Sequence, residues 1–121
     1  MKLDKSKIYY LAHPLTTGGR SIEENRKLER DSWWNLKKDY GDELCLVRPL
    51  DLIPRDWDEV DAWEACIDLL SICQGIILCP GWEESDGCCK EKNYASLNNL
   101  SVINYVSIID TVESSFKNAY D

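Results

Sequence analysis

The segment from Pro80 to Glu91 combines residue types that bind anions with a carboxylate that could react. Ser85 and Gly87 stand where a helix is predicted to begin, and Glu91 follows about one turn later. Helix N-termini present unpaired N–H groups and a partial positive charge, so they attract anions. Ser85 could add its hydroxyl, and Gly87 would let a ligand approach the backbone. From this spacing alone Glu91 faces either a ligand or water, and a solvated helical Glu is the commoner case.

A second candidate segment, residues 13–20, follows the first apolar run of the chain. It starts with His13, the single histidine of the sequence. A histidine in such a loop either donates a proton near neutral pH or is held by a backbone hydrogen bond. Gly18, Gly19 and Arg20 end the segment, and by themselves they predict a turn with a solvated Arg.

The elements that must position these residues alternate between strand-like and helix-like patterns. The predicted strands cover residues 7–12, 44–47, 75–79 and 100–106. The predicted helices cover residues 22–38, with Ser21 and Glu24 as a capping box, a stretch that starts near Asp58, and residues 86–98 and 111–120. Residues 49–58 contain two prolines and predict a loop.

This alternation predicts one α/β domain over residues 1–121: a doubly wound, flavodoxin- or Rossmann-like parallel sheet of four to five strands, with helices on both faces. In such sheets ligands bind beyond the carboxyl ends of the strands, where the strand order reverses. The loops after the first and third strands, residues 13–20 and 80–87, are therefore the expected ligand-binding loops.

The composition limits the classes of partner. The net charge of −8 argues against a protein that binds a nucleic-acid polymer, because such a protein needs a basic face. No apolar run is long enough to span a membrane, and no apolar segment follows the first seven residues as in a secretory signal. These features predict a cytoplasmic protein that does not enter the membrane.

The six cysteines invite a disulfide or zinc interpretation. They form no C-x-x-C pair, and His13 is distant in sequence from most of them. The pattern therefore predicts no metal site and reduced, largely buried thiols. The adjacent pair Cys88 and Cys89 has no explanation at this level.

Two segments carry a resemblance to a known family. Tyr10-Leu11-Ala12-His13-Pro14-Leu15-Thr16 resembles the Y-[LI]-[AS]-[GH]-P-[LMI]-T opening of nucleoside 2-deoxyribosyltransferase-like proteins, many of which are phage-encoded. Residues 73–87 resemble their C-D-A-I-x-L-L-P-G-W-E-x-S-x-G segment, and Glu91 and Ala95 match the Glu and Ala that follow. The similarity extends from the first strand to the fourth.

The resemblance implies a nucleoside or 5′-nucleotide N-glycosidase or a deoxyribosyltransferase. Glu91 would be the nucleophile that attacks the anomeric carbon, as in a retaining glycosidase, and Tyr10 would position Glu91 or the sugar. Ser85 and Gly87 would bind a 5′-phosphate or a sugar oxygen. Gly18, Gly19 and Arg20 would close the first loop over the ligand, with Arg20 as a phosphate partner. Neither a metal nor a cofactor is required.

Three departures from the family pattern bear on activity. Gln74 replaces an Asp that we interpret as structural. The relatives carry an Asp in the second helix that acts near the leaving base. Asp68 is the catalytic candidate for this role, but a gapless alignment puts Cys66 there, and the two are about 200° apart around a helix. Glu64 is the other nearby acid. His13, next to Pro14, replaces a frequent Gly and would narrow the site or supply a proton.

Two other hypotheses remain beside the enzyme. The same pocket could retain a nucleotide or a nucleotide-derived signal without turnover, which the uncertain Asp and the bulky His13 favour. A structural domain without a ligand is the third, since five Trp and six Tyr in a short chain suit self-association. Relatives of this family are commonly homo-oligomers, so we expect at least a dimer. Trp82 would pack over the site entrance, join an oligomer contact or stack on a nucleobase.

Overall fold

The computed structural model describes residues 3–106 and 108, which contain a four-stranded, all-parallel sheet with helices on both faces. The elements are β1 (Ile8–Ala12), α1 (Ile22–Tyr40), β2 (Cys45–Val47), α2 (Pro49–Leu52), α3 (Glu59–Ser71), β3 (Gly75–Leu78), α4 (Asp86–Leu97) and β4 (Ser101–Asn104). A single 3-10 turn, Trp82–Glu84, precedes α4. The predicted α/β class is confirmed. The helix predicted over residues 111–120 lies outside the described residues.

The strand order is β2-β1-β3-β4, so the chain first builds outward from β1 on one side and then continues on the other. The strand order reverses between β1 and β3. These two strands are paired along their length, from Tyr9 opposite Gly75 to Ala12 opposite Leu78. All of β3 and nearly all of β1 is buried, as expected for central strands covered on both faces. The loops after these two strands therefore start side by side at one edge of the sheet.

Local capping signals explain where two of the long helices, α1 and α3, begin. The Ser21 hydroxyl accepts a hydrogen bond from the Glu24 amide at 3.1 Å, and the Glu24 side chain bonds back to the Ser21 amide, which completes the predicted capping box. Asp58 caps α3 by accepting from the Asp61 amide at 2.8 Å. These caps satisfy backbone N–H groups that have no partner within the helix.

Alternate residues of β1 point into two different hydrophobic layers. Tyr9 and Leu11 pack with Leu36 of α1 on one face, whereas Tyr10 and Ala12 pack with residues of α3 and α4 on the other. The Tyr9 ring lies directly against the backbone of β3, and a Cβ added to Gly75 would stand 2.6 Å from Tyr9 Cδ1. Only glycine therefore fits at that point of β3 while the ring keeps this position.

Two features near β1 and β2 differ from or complete the sequence expectations. Residues 49–58 do not form a continuous loop, because α2 makes one helical turn in which the Leu52 amide bonds to the Arg48 carbonyl at 3.1 Å. The proline that suggested a loop is tolerated at the first helical position, where no N–H partner is needed. Gln74 accepts a hydrogen bond from the Ile8 amide at 2.7 Å, so it performs a structural role. Within the described ranges no helix is long and apolar enough to cross a membrane.

Candidate functional site

A cavity of about 350 Å³ lies at the sheet edge where β1 and β3 end. Its walls are the loop after β1, the first turns of α4, the inner side of α3 and the segment from α2 to Trp57. Apolar side chains such as Leu15, Ile53 and Ala62 share these walls with a few polar groups. This mixture is typical of sites that bind small organic molecules. The predicted position of the ligand site, beyond β1 and β3, coincides with this cavity.

Glu91 lines the cavity from α4 although only 7% of its surface is exposed. The helix is started by Ser85, whose hydroxyl accepts from the Cys88 amide at 3.3 Å, so that Glu91 follows on the inner face. Burial raises the pKa of Glu91 from its ordinary 4.5 to about 7, and a hydrogen bond from Tyr10 opposes that rise. The sequence left open whether Glu91 faces a ligand or water, and in the structure it faces the cavity.

Tyr10 lies beneath Glu91 in the sheet. It is fully buried in β1, and its hydroxyl donates a hydrogen bond to Glu91 Oε2. Burial, followed by the negative charge of Glu91 and the neighbouring Cys66, raises the pKa of the Tyr10 hydroxyl well above its usual value. Tyr10 therefore stays protonated and acts as a donor that fixes one oxygen of the carboxyl group.

Two thiols complete the surroundings of Glu91. Cys88 lines the cavity one helical turn before Glu91, and burial, with the carboxylate charge second, raises its pKa to about 12. Cys66 lines the cavity from α3, and burial raises the pKa of its thiol as well. Both thiols remain protonated at neutral pH, so they neither compete with Glu91 as nucleophiles nor add negative charge beside it.

His13 lines the cavity from the loop after β1 and is buried. Its Nδ1 lies 2.7 Å from the Pro14 carbonyl oxygen, and because a carbonyl only accepts, Nδ1 carries the proton. Burial lowers the pKa of His13 below its ordinary 6.5, so the ring is neutral at pH 7 and its Nε2 is an acceptor. His13 thus belongs to the cavity wall, while Pro14 is buried outside the lining and provides the carbonyl.

The structure does not bring Arg20, Gly18 and Gly19 to the cavity. Arg20 Nε donates to Asn25 Oδ1 at 2.9 Å, and its guanidinium lies beside Gly18 and Gly81. Gly81 has a φ of 90°, a left-handed conformation that suits glycine. Arg20 therefore connects the loop after β1 with the loop after β3. Its position does not support the expected contact with a phosphate.

Asn25 organises the loop that follows β1. This fully buried side chain on α1 donates to the Leu15 carbonyl at 2.8 Å and to the Thr17 carbonyl at 3.1 Å, and it accepts from Arg20. The hydrogen-bonding capacity of one amide thereby shapes the loop that carries the wall residues Leu15 and Thr16. The loop conformation is set by α1 rather than by a ligand.

Trp82 also lies outside the cavity lining. Its indole Nε1 donates to Asn104 Oδ1 of β4 at 3.2 Å, and the ring packs against the hydrophobic layer on the α3 and α4 face. A different tryptophan, Trp57, lines the cavity and is half exposed. The aromatic surface available to a planar ligand is therefore Trp57, which the sequence did not single out because it lies in a predicted loop.

The acidic candidates on α3 face away from the cavity. Asp68 and Glu64 are exposed and line a separate open depression of about 610 Å³, together with Asp56, Asp58 and Asp61. Cys66 lines the cavity from the same helix. The reason is the helical rotation of about 200° between positions 66 and 68. The second carboxyl that lines the cavity is Glu59, an exposed residue in the first turn of α3.

Sequence reasoning also missed two arginines of the cavity, Arg26 and Arg55. Arg26 follows Asn25 on α1, whose buried positions are Asn25, Glu29, Ser32 and Leu36. Three of these four are polar, so a search for apolar periodicity could not find the inward face of α1. The spacing of the polar residues at i, i+4 and i+7 is the signal that could have found it.

Comparison with known proteins gives one family match. A family model described as Domain of unknown function (DUF4406) matches residues 9–104, from β1 to the end of β4. No curated protein and no solved structure matches the chain. The matched range contains every residue named above as lining the cavity.

Proposed function

Because the chain belongs to the DUF4406 family, whose description gives no activity, we propose a function from the cavity itself: the protein binds a nucleoside or nucleotide and cleaves its N-glycosidic bond, with Glu91 as the nucleophile. The observation that carries this proposal is the buried Glu91 carboxyl in the cavity wall, held by the Tyr10 hydroxyl. The resemblance of the Tyr10 and Glu91 segments to nucleoside 2-deoxyribosyltransferase-like proteins supports the same assignment.

The proposed reaction has two steps. A Glu91 oxygen bonds to the anomeric carbon as the bond from that carbon to the base nitrogen breaks, and the bonding electrons leave with the base, which takes a proton from water. Water or a second base then bonds to the anomeric carbon as the bond to the Glu91 oxygen breaks, and its proton goes to the hydroxide left by the first step. The low-dielectric surroundings of Glu91 strengthen its attraction for the positive charge that develops on the sugar.

The walls of the cavity suit the two parts of such a ligand. Trp57 and Ile53 offer apolar surface to a planar base, and the Nε2 acceptor of neutral His13 can receive a hydrogen bond from a base N–H group. The backbone at Gly87 and the Tyr10-held Glu91 are the polar groups beside the sugar. In this arrangement Tyr10 is a positioning residue, because it acts through Glu91.

Binding without turnover is the second candidate. It is favoured by the position of Asp68, since the carboxyl of α3 that lines the cavity, Glu59, lies in the exposed first turn, and Cys66 stands where an inward carboxyl could protonate a leaving base. In that case Glu91 would accept a hydrogen bond from a sugar hydroxyl. A nucleotide or a nucleotide-derived signal would be retained unchanged.

The two candidates are separated by incubation of the purified chain with deoxynucleosides, ribonucleosides, their 5′-monophosphates and NAD-type dinucleotides. Released base is measured by chromatography, and the glycosyl ester is sought by mass spectrometry of the denatured protein. We expect base release that disappears in Glu91→Gln. The control is Glu59→Gln, which removes a charge from the same cavity at an exposed position and should lower the rate far less. Retention of a ligand by the wild-type chain without base release would contradict the enzyme and support the binding protein.

A further inference from the structure

Arg26 has a buried hydrogen-bond donor without a partner. Its Nη1 donates to the Leu50 carbonyl at 2.6 Å, whereas its Nε is buried and has no partner among the described residues. A buried N–H donor that lacks a partner is costly, and such groups in native proteins call for a bound water, ion or ligand group. Arg26 lines the cavity that also contains Glu91, so a ligand in that cavity can contact its guanidinium, and Nε itself becomes accessible when the side chain changes rotamer.

Arg26 belongs to a cluster of arginines on the side of the cavity formed by α1 and the segment from α2 to Trp57. A small adjoining cavity of about 60 Å³ shares Arg26, Arg55 and Leu50 with the ligand cavity and is also lined by Arg30, Arg48, Glu29 and Asp51. Four arginines face two carboxylates here, an excess of positive charge although the chain as a whole carries −8. Such a local reversal of sign attracts an anion into the cavity.

The carboxylates in this region do not neutralise Arg26. Both oxygens of Glu29 accept from Arg48, at 3.0 Å from Nε and 2.7 Å from Nη2. Arg55 pairs with Glu23 at the exposed surface, where an ion pair contributes little. In the part of the chain that the structure describes, Arg26 has no salt bridge. Its guanidinium therefore remains available for an external anion.

The other candidate for anion binding is already engaged. The Ser85 hydroxyl accepts from the Cys88 amide and so caps α4, and Asp86 brings a negative charge to the first turn of that helix. Asp86 and the Ser85 cap both complement the helix dipole at this end, which leaves less attraction for a phosphate. The side of the cavity lined by Arg26 and Arg55 is therefore the more favourable place for a doubly charged phosphate group.

We infer that Arg26, with Arg55 beside it, binds the phosphate of the ligand, so that the substrate class of this site is the nucleoside 5′-monophosphate and not the free nucleoside. The inference rests on the proposed function for the position of the sugar at Glu91. A cavity of about 350 Å³ is at the lower end of the range for ligand pockets, which suits a mononucleotide. Arg pairs with phosphate through two parallel N–H donors, and Nε is one of them.

The test compares binding with and without the phosphate. The affinity of each of the four 2′-deoxynucleosides and of its 5′-monophosphate is measured by calorimetry at constant ionic strength, in the Glu91→Gln chain so that turnover cannot consume the probe. We expect at least one monophosphate to bind at least about tenfold more tightly than its nucleoside, as a charge-assisted hydrogen bond to the phosphate predicts. Arg26→Gln should remove this gain in affinity from the phosphate.

Arg30→Gln is the matched control, because Arg30 lies one helical turn further along α1, is exposed and lines only the small cavity. It removes the same charge outside the ligand cavity and should keep most of the gain in affinity. Since Arg26→Gln also loses the bond to Leu50, folding is checked by circular dichroism. Arg26→Lys is the second variant: it keeps a charge and a donor but lacks the paired donors, and it should reduce the gain severalfold.

Several results would overturn the inference: no gain from the phosphate in any of the four pairs, an equal loss of gain in Arg26→Gln and Arg30→Gln, or an unchanged gain in both Arg26 variants. Failure of the proposed function has a different signature. If the wild-type chain releases base from nucleosides and monophosphates with equal kcat/KM, the function stands and the phosphate subsite fails. If it releases no base but the gain depends on Arg26, the subsite stands and the enzyme fails.

Discussion

The Tyr10 hydroxyl donates a hydrogen bond to Glu91 Oε2 across 81 positions of the sequence, and this contact joins the central strand β1 to α4. Tyr10 is fully buried, so its hydroxyl has little freedom to move away from the carboxyl group. One oxygen of Glu91 is thereby held while the other is left for a reacting atom. The geometry makes Glu91 the residue on which most of the following predictions depend.

Glu91→Gln should make the chain more stable at neutral pH. The pKa of Glu91 is raised to about 7 in the folded state, so the folded chain retains a proton that the unfolded chain releases near pH 4.5. Stability is therefore lost as the pH rises through this window, and it is restored when the pH falls. Gln does not titrate. The free energy of unfolding of Glu91→Gln minus that of the wild type should grow by about 2 kcal/mol between about pH 5.5 and pH 8, measured by urea unfolding. A difference independent of pH would contradict the buried, proton-retaining Glu91.

Tyr10→Phe should shift the pH dependence of base release. Glu91 must be ionised to attack, so kcat/KM should rise with pH through an apparent pKa of about 7. The Tyr10 hydrogen bond lowers the pKa of Glu91, and its loss should move this limb to higher pH and lower kcat at pH 7 about tenfold, with little change in KM. A merely structural role of Tyr10 would lower the rate at all pH values equally.

His13→Gln serves as the control for that assignment. Burial lowers the pKa of His13 below 6.5, so the limb near pH 7 belongs to Glu91 and should persist in His13→Gln. If the limb disappears in this variant, His13 and not Glu91 is the titrating group.

Bulk added on the two sides of α3 should have unequal effects on ligand binding. Cys66→Leu places a larger side chain in the cavity wall, so the affinity for the preferred nucleoside or nucleotide should fall at least about tenfold. Asp68→Leu makes the same helix more apolar on its exposed side and should leave the affinity unchanged. Equal effects of the two substitutions, measured by calorimetry, would mean that α3 does not present position 66 to the ligand.

The parts of the fold that sequence could predict are those with local signals. Ser21 and Glu24 lie within one helical turn of each other, so their reciprocal hydrogen bonds need no tertiary structure. The apolar runs of β1 and β3 likewise identify central strands by themselves. The helix start at Ser85 fixed where Glu91 lies along α4, whereas the spacing left open whether Glu91 faces a ligand or water.

The parts that sequence could not predict depend on contacts between distant segments. A single turn such as α2 is too short to be stable alone, and the bond from Arg26 to the Leu50 carbonyl ties it to α1. Arg20 and Arg26 are equally plausible anion ligands in the sequence. In the structure Arg20 donates a hydrogen bond to Asn25, whereas Arg26 lines the cavity. The choice between Asp68 and Cys66 similarly depends on which side of α3 packs inward.

Asn25→Ala should loosen the loop that forms one wall of the cavity. The change leaves the Leu15 and Thr17 carbonyls without their donor and frees Arg20, which should lower the free energy of unfolding by about 2–3 kcal/mol. Ligand affinity should fall with it, because Leu15 lines the cavity.

Asn35→Ala is the matched control for Asn25→Ala, since it makes the same exchange at an exposed position of the same helix. Thermal or urea unfolding of both variants provides the comparison. If the two exchanges cost the same, the effect comes from helix propensity and not from the loop.

The contact between the Tyr9 ring and Gly75 has a consequence for the history of this chain. With 2.6 Å between the ring and any added Cβ, position 75 cannot gain a methyl group unless position 9 changes shape first. The two positions pair across neighbouring strands and should be inherited as a couple. In an alignment of homologues we expect alanine or larger residues at position 75 to coincide with a smaller residue at position 9, and single exchanges at either position to be rare.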